Sequence, residues 1–157
     1  MSKIDNALDL QALQLGLRNH MIANSSQMAT LYAAGRVVGE NTEFTPPSDG
    51  SHWVRDTLLP NNERHVAFKM VEAIGRWQVD VVVRRGTSID VANSLRQEIA
   101  QAFRPGEQVD YYPVVVGNKI HIDRTNRLGV VNFGTFGSLQ EVWVAYGIDV
   151  SWRAYAT

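Results

Sequence analysis

Few residue combinations in this sequence could perform chemistry, and His121 with Asp123 is the first to consider. The two residues stand two positions apart on a predicted strand, so they share one of its faces. They could form an acid–base pair or part of a metal site, or they could be a surface pair, which is the default on a strand. The histidines at positions 20, 52, 65 and 121 lack the i, i+4 spacing of a zinc-binding helix. The spacing therefore predicts no metal site.

Motifs for nucleotide binding and for nucleophilic catalysis are absent. Asn118-Lys119 lacks the glycine-rich frame of a phosphate loop, and no amphipathic helix follows the glycines at 134 and 137. Ser25 and Ser26 lack the GxSxG frame of a nucleophile elbow. We therefore expect no catalytic residue, no cofactor and no enzymatic activity.

The one basic cluster is Arg84-Arg85 together with Arg76 at the start of the same predicted strand, and Asp80 interrupts it. Nucleic-acid binding by counterion release needs several cations on one surface. The cluster is more typical of an exposed strand end, although a lumen through which DNA merely passes could also use such arginines.

Composition excludes several classes of protein. The chain has 157 residues, which fits a single domain over 1–157, and 45% of them are hydrophobic, which is typical of a globular protein. There is no cysteine, hence no disulfide scaffold and no thiolate chemistry. A net charge of −1 gives no global attraction to DNA or to anionic membranes. Asp5 and Asp9 interrupt any signal peptide, and no apolar run is long enough to span a bilayer, so the sequence predicts synthesis and use in the cytoplasm.

Periodicity predicts the regular elements. A helix is expected over 4–22, and a second over 88–103, where Leu95, Ile99 and Phe103 form part of one apolar stripe. Alternation at Trp77, Val79 and Val81 predicts a strand over 76–84 whose apolar side packs on that stripe. Further strands are expected over 36–40, 52–59, 128–133 and 142–153, with a hairpin of 111–116 and 119–123. The pattern predicts an α+β fold: a mixed, largely antiparallel sheet of about five to six strands with two helices packed on one face.

The polar segment 60–73 joins two predicted strands and is too long for an ordinary hairpin turn. We expect a long loop there that becomes ordered against a partner, because it carries apolar residues that a free loop would expose. The alternative is that the two strands simply continue through it as a ribbon.

Three segments, in this order, resemble one family: Glu40 to Pro47, Trp53 to Pro60, and Gly75 to Val83. The helix with Ala92, Ile99 and Phe103 follows them, and a final strand from Val144 to Ala154 completes the order. Together, over about Arg36 to Thr157, they are similar to the tail terminator-like proteins of long-tailed phages, of the lambda type.

The resemblance implies an α+β subunit that closes into a six-fold ring on the last layer of the tail tube. The ring would stop growth of the tube and join the tail to the head and neck. It implies no catalytic residue; Phe44 would pack the bend, and Pro46 and Pro47 would stiffen it. The partners implied are other copies of the chain, the major tail tube protein and a neck or head-completion protein, with DNA only as cargo in the lumen and no membrane.

On this basis the protein would reside at the head-proximal end of the tail in the virion, and in the host cytoplasm during assembly. The candidate contact residues are Arg55, Asp56, Asn61, Asn62, Glu63, Arg64, His65, Phe68, Met70, Arg84 and Arg85. Two other functions stay open: another neck or head-completion connector, and an enzyme of unrecognised type that uses His121 and Asp123.

Overall fold

A computed structural model describes residues 9–40, 42–67, 70–136 and 139–156, and for 61–67, 133–136, 139–141 and 156 it describes the backbone alone. Within these ranges there are three helices and six strands. In chain order they are α1 (Leu10–Ala23), α2 (Ser26–Ala33), β1 (Val37–Gly39), β2 (Trp53–Ala67), β3 (Met70–Arg84), α3 (Ile89–Ala102), β4 (Gln108–Asp110), β5 (Lys119–Phe136) and β6 (Leu139–Ala156). None of the described helices is long and apolar enough to cross a membrane.

The strands form one sheet in the order β1-β2-β3-β6-β5-β4. The β1–β2 pair is parallel and every other pair is antiparallel. Four long strands occupy the middle of the sheet and two strands of three residues each close its edges. The α+β class and the mixed, largely antiparallel sheet are therefore confirmed.

Local capping explains where the first two helices begin. The Asp9 carboxylate accepts the Ala12 N–H at 3.0 Å, and α1 begins at Leu10; the part of the predicted helix over 4–8 lies outside the described residues. The Ser25 hydroxyl accepts the Met28 N–H at 3.2 Å and starts α2, a helix that the sequence pattern did not predict. A side-chain oxygen that satisfies a free N–H is the usual start of a helix.

The main core lies between the three helices and one face of the sheet. Leu95, Ile99 and Phe103 are fully buried there together with Trp77, and the Phe103 and Trp77 ring centroids are 5.3 Å apart. The predicted packing of the α3 stripe on this strand face is confirmed. We call this side of the sheet the helix face and the other side the open face.

The prediction of a long loop over 60–73 is wrong, because β2 and β3 stay paired through the segment to Ala67 and Met70. The register shifts twice, between Pro60 and Asn62 and between His65 and Ala67. Such bulges disturb the alternation of apolar and polar side chains, which hides a strand from pattern analysis. Pro60 is tolerated because β2 lies at the sheet edge there, β1 pairing only with residues 54–56.

The predicted hairpin of 111–116 with 119–123 is also wrong. The strand that pairs with the start of β5 is β4, and its Asp110 lies opposite Lys119. Pro113 stands in the middle of the apolar run and cannot donate a hydrogen bond to a strand ladder. Residues 111–118 therefore form a connection and not a strand.

Candidate intermolecular surfaces

Asp56, which was expected to face a neighbouring subunit, lies inside the protein and has no exposed surface. Its carboxylate accepts hydrogen bonds from Arg18 (2.6 and 3.0 Å), from the Gln14 amide (2.8 Å) and from the Trp77 indole (3.2 Å). Burial by itself lowers the pKa of Arg18, but the hydrogen bond and the charge of Asp56 raise it overall. The prediction for Asp56 is therefore corrected: strand alternation turns its side chain toward α1, where it fastens the helix to the sheet.

Arg55 is the next residue along β2 and points to the open face. Its guanidinium carbon lies 5.3 Å from the centroid of the Trp53 ring, within the range of a cation–π contact. Its positive charge also acts to lower the pKa of the Asp80 carboxyl on the adjacent strand. Arg55 is therefore half-buried on the open face.

An apolar cluster covers one end of the open face. Trp53 and Trp143 are fully buried, with ring centroids 6.3 Å apart, and Phe44 packs on Trp53 at 4.7 Å. Val38, Val82 and Ala145 complete the cluster. Phe44 thus packs the bend after β1, as the resemblance implied.

The middle of the open face is polar. Arg76 pairs with Asp149 at 3.4 Å, and the Gln78 amide donates to Asp80 at 2.9 Å. Burial is the main cause of a raised pKa at Asp80, which the hydrogen bond from Gln78 and the charge of Arg55 oppose. Acidic and basic side chains from strands β2, β3 and β6 lie next to one another here. This region is therefore not a basic surface.

Arg84 and Arg85 have different surroundings at the end of β3. Arg84 is half-buried and its guanidinium packs directly on Gly50, where any Cβ would collide with it. Arg85 is exposed, and its N–H donates to the Val142 carbonyl at 2.9 Å. Of the two, Arg85 is the more accessible to a partner.

The remaining candidates lie at the far end of the sheet. The backbone of residues 61–65 belongs to β2, so Asn61, Asn62, Glu63, Arg64 and His65 are placed on the β2–β3 ribbon, and Phe68 lies outside the described residues. Met70 begins β3 and is half-buried. It lines a cavity of about 310 Å³ with Gly117, Asn118, Lys119, His121 and Tyr155.

His121 and Asp123 each have a partner on β6. The His121 ring packs against Tyr155 with centroids 6.0 Å apart, and Asp123 accepts a hydrogen bond from Arg153 at 3.2 Å. Within the described ranges, no three His, Asp or Glu side chains come together in a way that could hold a metal ion. The geometry thus matches a cross-strand surface pair better than an acid–base site.

Two surface features were not predicted. The first is a concavity of about 500 Å³ on strands β2, β3, β5 and β6. The second is the run from Tyr112 to Val116, which is exposed although every residue in it is apolar. Pro113 inside this run was the signal that could have identified it as a loop. The sequence contains no pattern that predicts the concavity, because its lining residues are distant from one another in the chain.

Comparison with solved structures supports the fold. One of 12 matching chains is a protein of unstated function with a TM-score of 0.57 and 17% sequence identity; the match covers 93% of this chain and 96% of the other. No curated protein matches the sequence.

The family described as Phage tail terminator protein matches residues 19–152. The match runs from the second half of α1 into the last part of β6, so it includes the whole sheet except the end of β6. It gives the chain a structural role in the phage tail and a place in the virion, and it confirms the resemblance found in the sequence. The chain belongs to the phage tail terminator protein family.

Proposed function

We propose that the chain is the tail terminator itself: copies of it close into a ring on the last layer of the tail tube. The ring caps the tube, stops its polymerisation and joins the tail to the head or neck.

 The observation that carries this proposal is the family match over 19–152. We further propose that the ring is a hexamer, assembled in the host cytoplasm before it becomes part of the virion. DNA then passes through its lumen as cargo.

The size of the subunit is compatible with a ring. A chain of 17.5 kDa is expected to expose about 7,900 Å². Two ring contacts of standard size would cover about 800 Å² each, or about a fifth of that surface. A ring therefore requires no unusually apolar exterior.

The contact residues are proposed from their positions. Arg55 on the open face, Met70 at the far end of the sheet and the exposed Arg85 lie where a partner could meet them. Arg84 and the ribbon residues Asn61, Asn62, Glu63, Arg64 and His65, placed by their backbone, complete the proposed set. Phe68 lies outside the described residues and is kept from the sequence prediction alone. Asp56 is left out because its carboxylate is used inside the subunit.

The test is polymerisation of the purified tail tube protein with and without this chain, followed by electron microscopy of tube length. We expect shorter tubes with a ring at one end when the chain is present. Unchanged tube length, together with binding to head or portal fractions, would favour the neck connector instead.

A matched pair of variants tests the proposed contact at Arg85. Arg85→Glu and Arg104→Glu both reverse the charge of an exposed arginine, but only Arg85 belongs to the proposed contact set. We expect R85E to weaken capping and R104E to leave it unchanged. If both variants cap tubes like the wild type, Arg85 lies outside the contact. The proposed function is then still tested by whether the wild-type chain shortens the tubes.

A further inference from the structure

Residues 112–116, which we call the apolar loop, form the most exposed apolar segment of the described chain. The side chains are exposed by 55% at Tyr112, 63% at Val114, 44% at Val115 and 96% at Val116. Contiguous apolar surface of this kind is uncommon on monomeric proteins and usually marks a contact site.

The apolar loop stands on a firm base. Tyr111 is buried, and the Tyr112 N–H donates to the Ala12 carbonyl of α1 at 3.0 Å. At the other end the Asn118 N–H donates to the Val115 carbonyl at 3.1 Å. Gly16 lets α1 approach this base, because a Cβ there would collide with the Asp110 carbonyl oxygen. A loop that is already held in place loses little conformational freedom on binding.

The concavity of about 500 Å³ lies elsewhere on the same subunit. Its apolar lining comes from Leu59, Pro60 and Ile74, and its charged lining includes Arg76 and Arg124. Gly75, Ser151, Trp152 and Asp123 complete the lining. A volume of this size falls within the range of about 300–1,000 Å³ in which proteins enclose small ligands, so it can receive several side chains.

We propose that the apolar loop of one copy inserts into the concavity of the next copy. The inference rests on the proposed ring and names the surfaces that build it. The loop follows the edge strand β4, whereas the concavity spans the four long strands, so the two surfaces are different parts of the subunit. A contact between different patches is the heterologous type that repeats around a closed ring.

The chemistry of the two surfaces also matches. The valine side chains of the apolar loop can pack against Leu59 and Ile74. Within the described residues the carbonyls of Val114 and Val116 accept no hydrogen bond, and the Arg124 guanidinium donates none, although the Arg124 backbone is paired with Ser151 in the sheet. A guanidinium in the wall of the concavity can therefore donate to the peptide carbonyls that the loop brings in.

The absence of cysteine from the chain makes a direct test simple. Val116→Cys subunits are mixed with Ile74→Cys subunits and treated with a short bis-maleimide, both free in solution and on capped tail tubes. We expect cross-links between the two kinds of subunit on capped tubes, and a ladder of multimers from the chain that carries both substitutions. Thr87→Cys replaces Ile74→Cys in the control mixture, because Thr87 is exposed but lies outside the concavity.

Two results would overturn the inference. One is cross-linking of Val116→Cys mainly to itself, which would show a symmetric contact of loop with loop. The other is cross-linking only to the tail tube protein. Either result would contradict the proposed contact but not the proposed function, because the chain could still terminate tubes. Failure of the wild-type chain to cap tubes is a different result, and it would contradict the proposed function.

A pair of charge substitutions gives an independent readout. Val116→Asp is expected to weaken ring formation about tenfold or more, because it places a carboxylate in the buried centre of the contact. Ile89→Asp, at the exposed start of α3, is expected to leave it unchanged. Thermal unfolding of both variants checks that each still folds. A folded V116D subunit that forms rings as readily as the wild type would overturn the inference.

Discussion

The helix face and the open face of the sheet use their side chains differently. On the helix face, residues from all three helices and the long strands form one continuous core. On the open face, burial is concentrated in the small cluster around Trp53 and Trp143, and the rest is polar or concave. Folding free energy therefore comes mainly from the helix face, which leaves the open face available for contacts with other proteins.

The largest effect is expected on the helix face. Phe103→Ala should lower the free energy of unfolding by about 3–5 kcal/mol, because it removes a fully buried ring that packs against Trp77 and His20. Urea denaturation measures the change. Ile89→Ala, on an exposed position of the same helix, is the control and should cost about 0.5 kcal/mol or less. Equal effects from both variants would contradict the division into two faces.

An intermediate effect is expected at the carboxylate that joins α1 to the sheet. Asp56→Ala should cost about 3 kcal/mol, because Arg18 and the Trp77 indole lose a buried acceptor. Asp123→Ala removes a carboxylate from the exposed ion pair with Arg153 and should cost about 1 kcal/mol or less. Chemical denaturation of the two variants side by side makes the comparison. A cost below 1 kcal/mol for D56A would mean that Asp56 does not fasten the helix.

The smallest effect concerns Asp80 on the open face. Its pKa is raised above the ordinary 3.8, mainly by burial, so the folded state binds this proton more tightly than the unfolded chain does. Its contribution to stability is therefore most favourable below 3.8 and declines as the pH rises through the raised pKa.

Asp80→Asn removes this titration and keeps an oxygen that can accept from Gln78. The variant should gain stability relative to the wild type as the pH rises, by about 0.5 kcal/mol or less at neutral pH. Thermal unfolding from about pH 4 to about pH 8 follows the difference between the two proteins. A variant that is less stable than the wild type at neutral pH would show that the charge of Asp80 is favourable on the open face.

Periodicity was sufficient for the elements that have one buried side. The stripe of α3 and the alternation of β3 each predicted the correct face, because burial on one side imposes a regular pattern on the residues themselves. The β2–β3 ribbon was missed since its two bulges break that pattern, and pairing of backbone groups leaves no mark in the sequence.

Candidate surfaces were harder to predict than elements. Arg55 and Asp56 are neighbours on one strand and their sequence position predicts the same role for both, yet alternation sends one side chain to each face. The apolar residues of the run at Tyr112 predict a strand, whereas the structure leaves the run exposed.

The amino-acid sequence by itself determined the α+β class, the apolar stripe of α3 and the family to which the chain belongs. These depend on residues that are near one another in the chain or on the order of short motifs. Only the tertiary structure decided the role of Asp56, whose partners Gln14 and Arg18 lie 42 and 38 residues away. It also decided the concavity, which four strands build together. Contacts between distant segments depend on how the elements pack, and no local pattern of residue types encodes that packing.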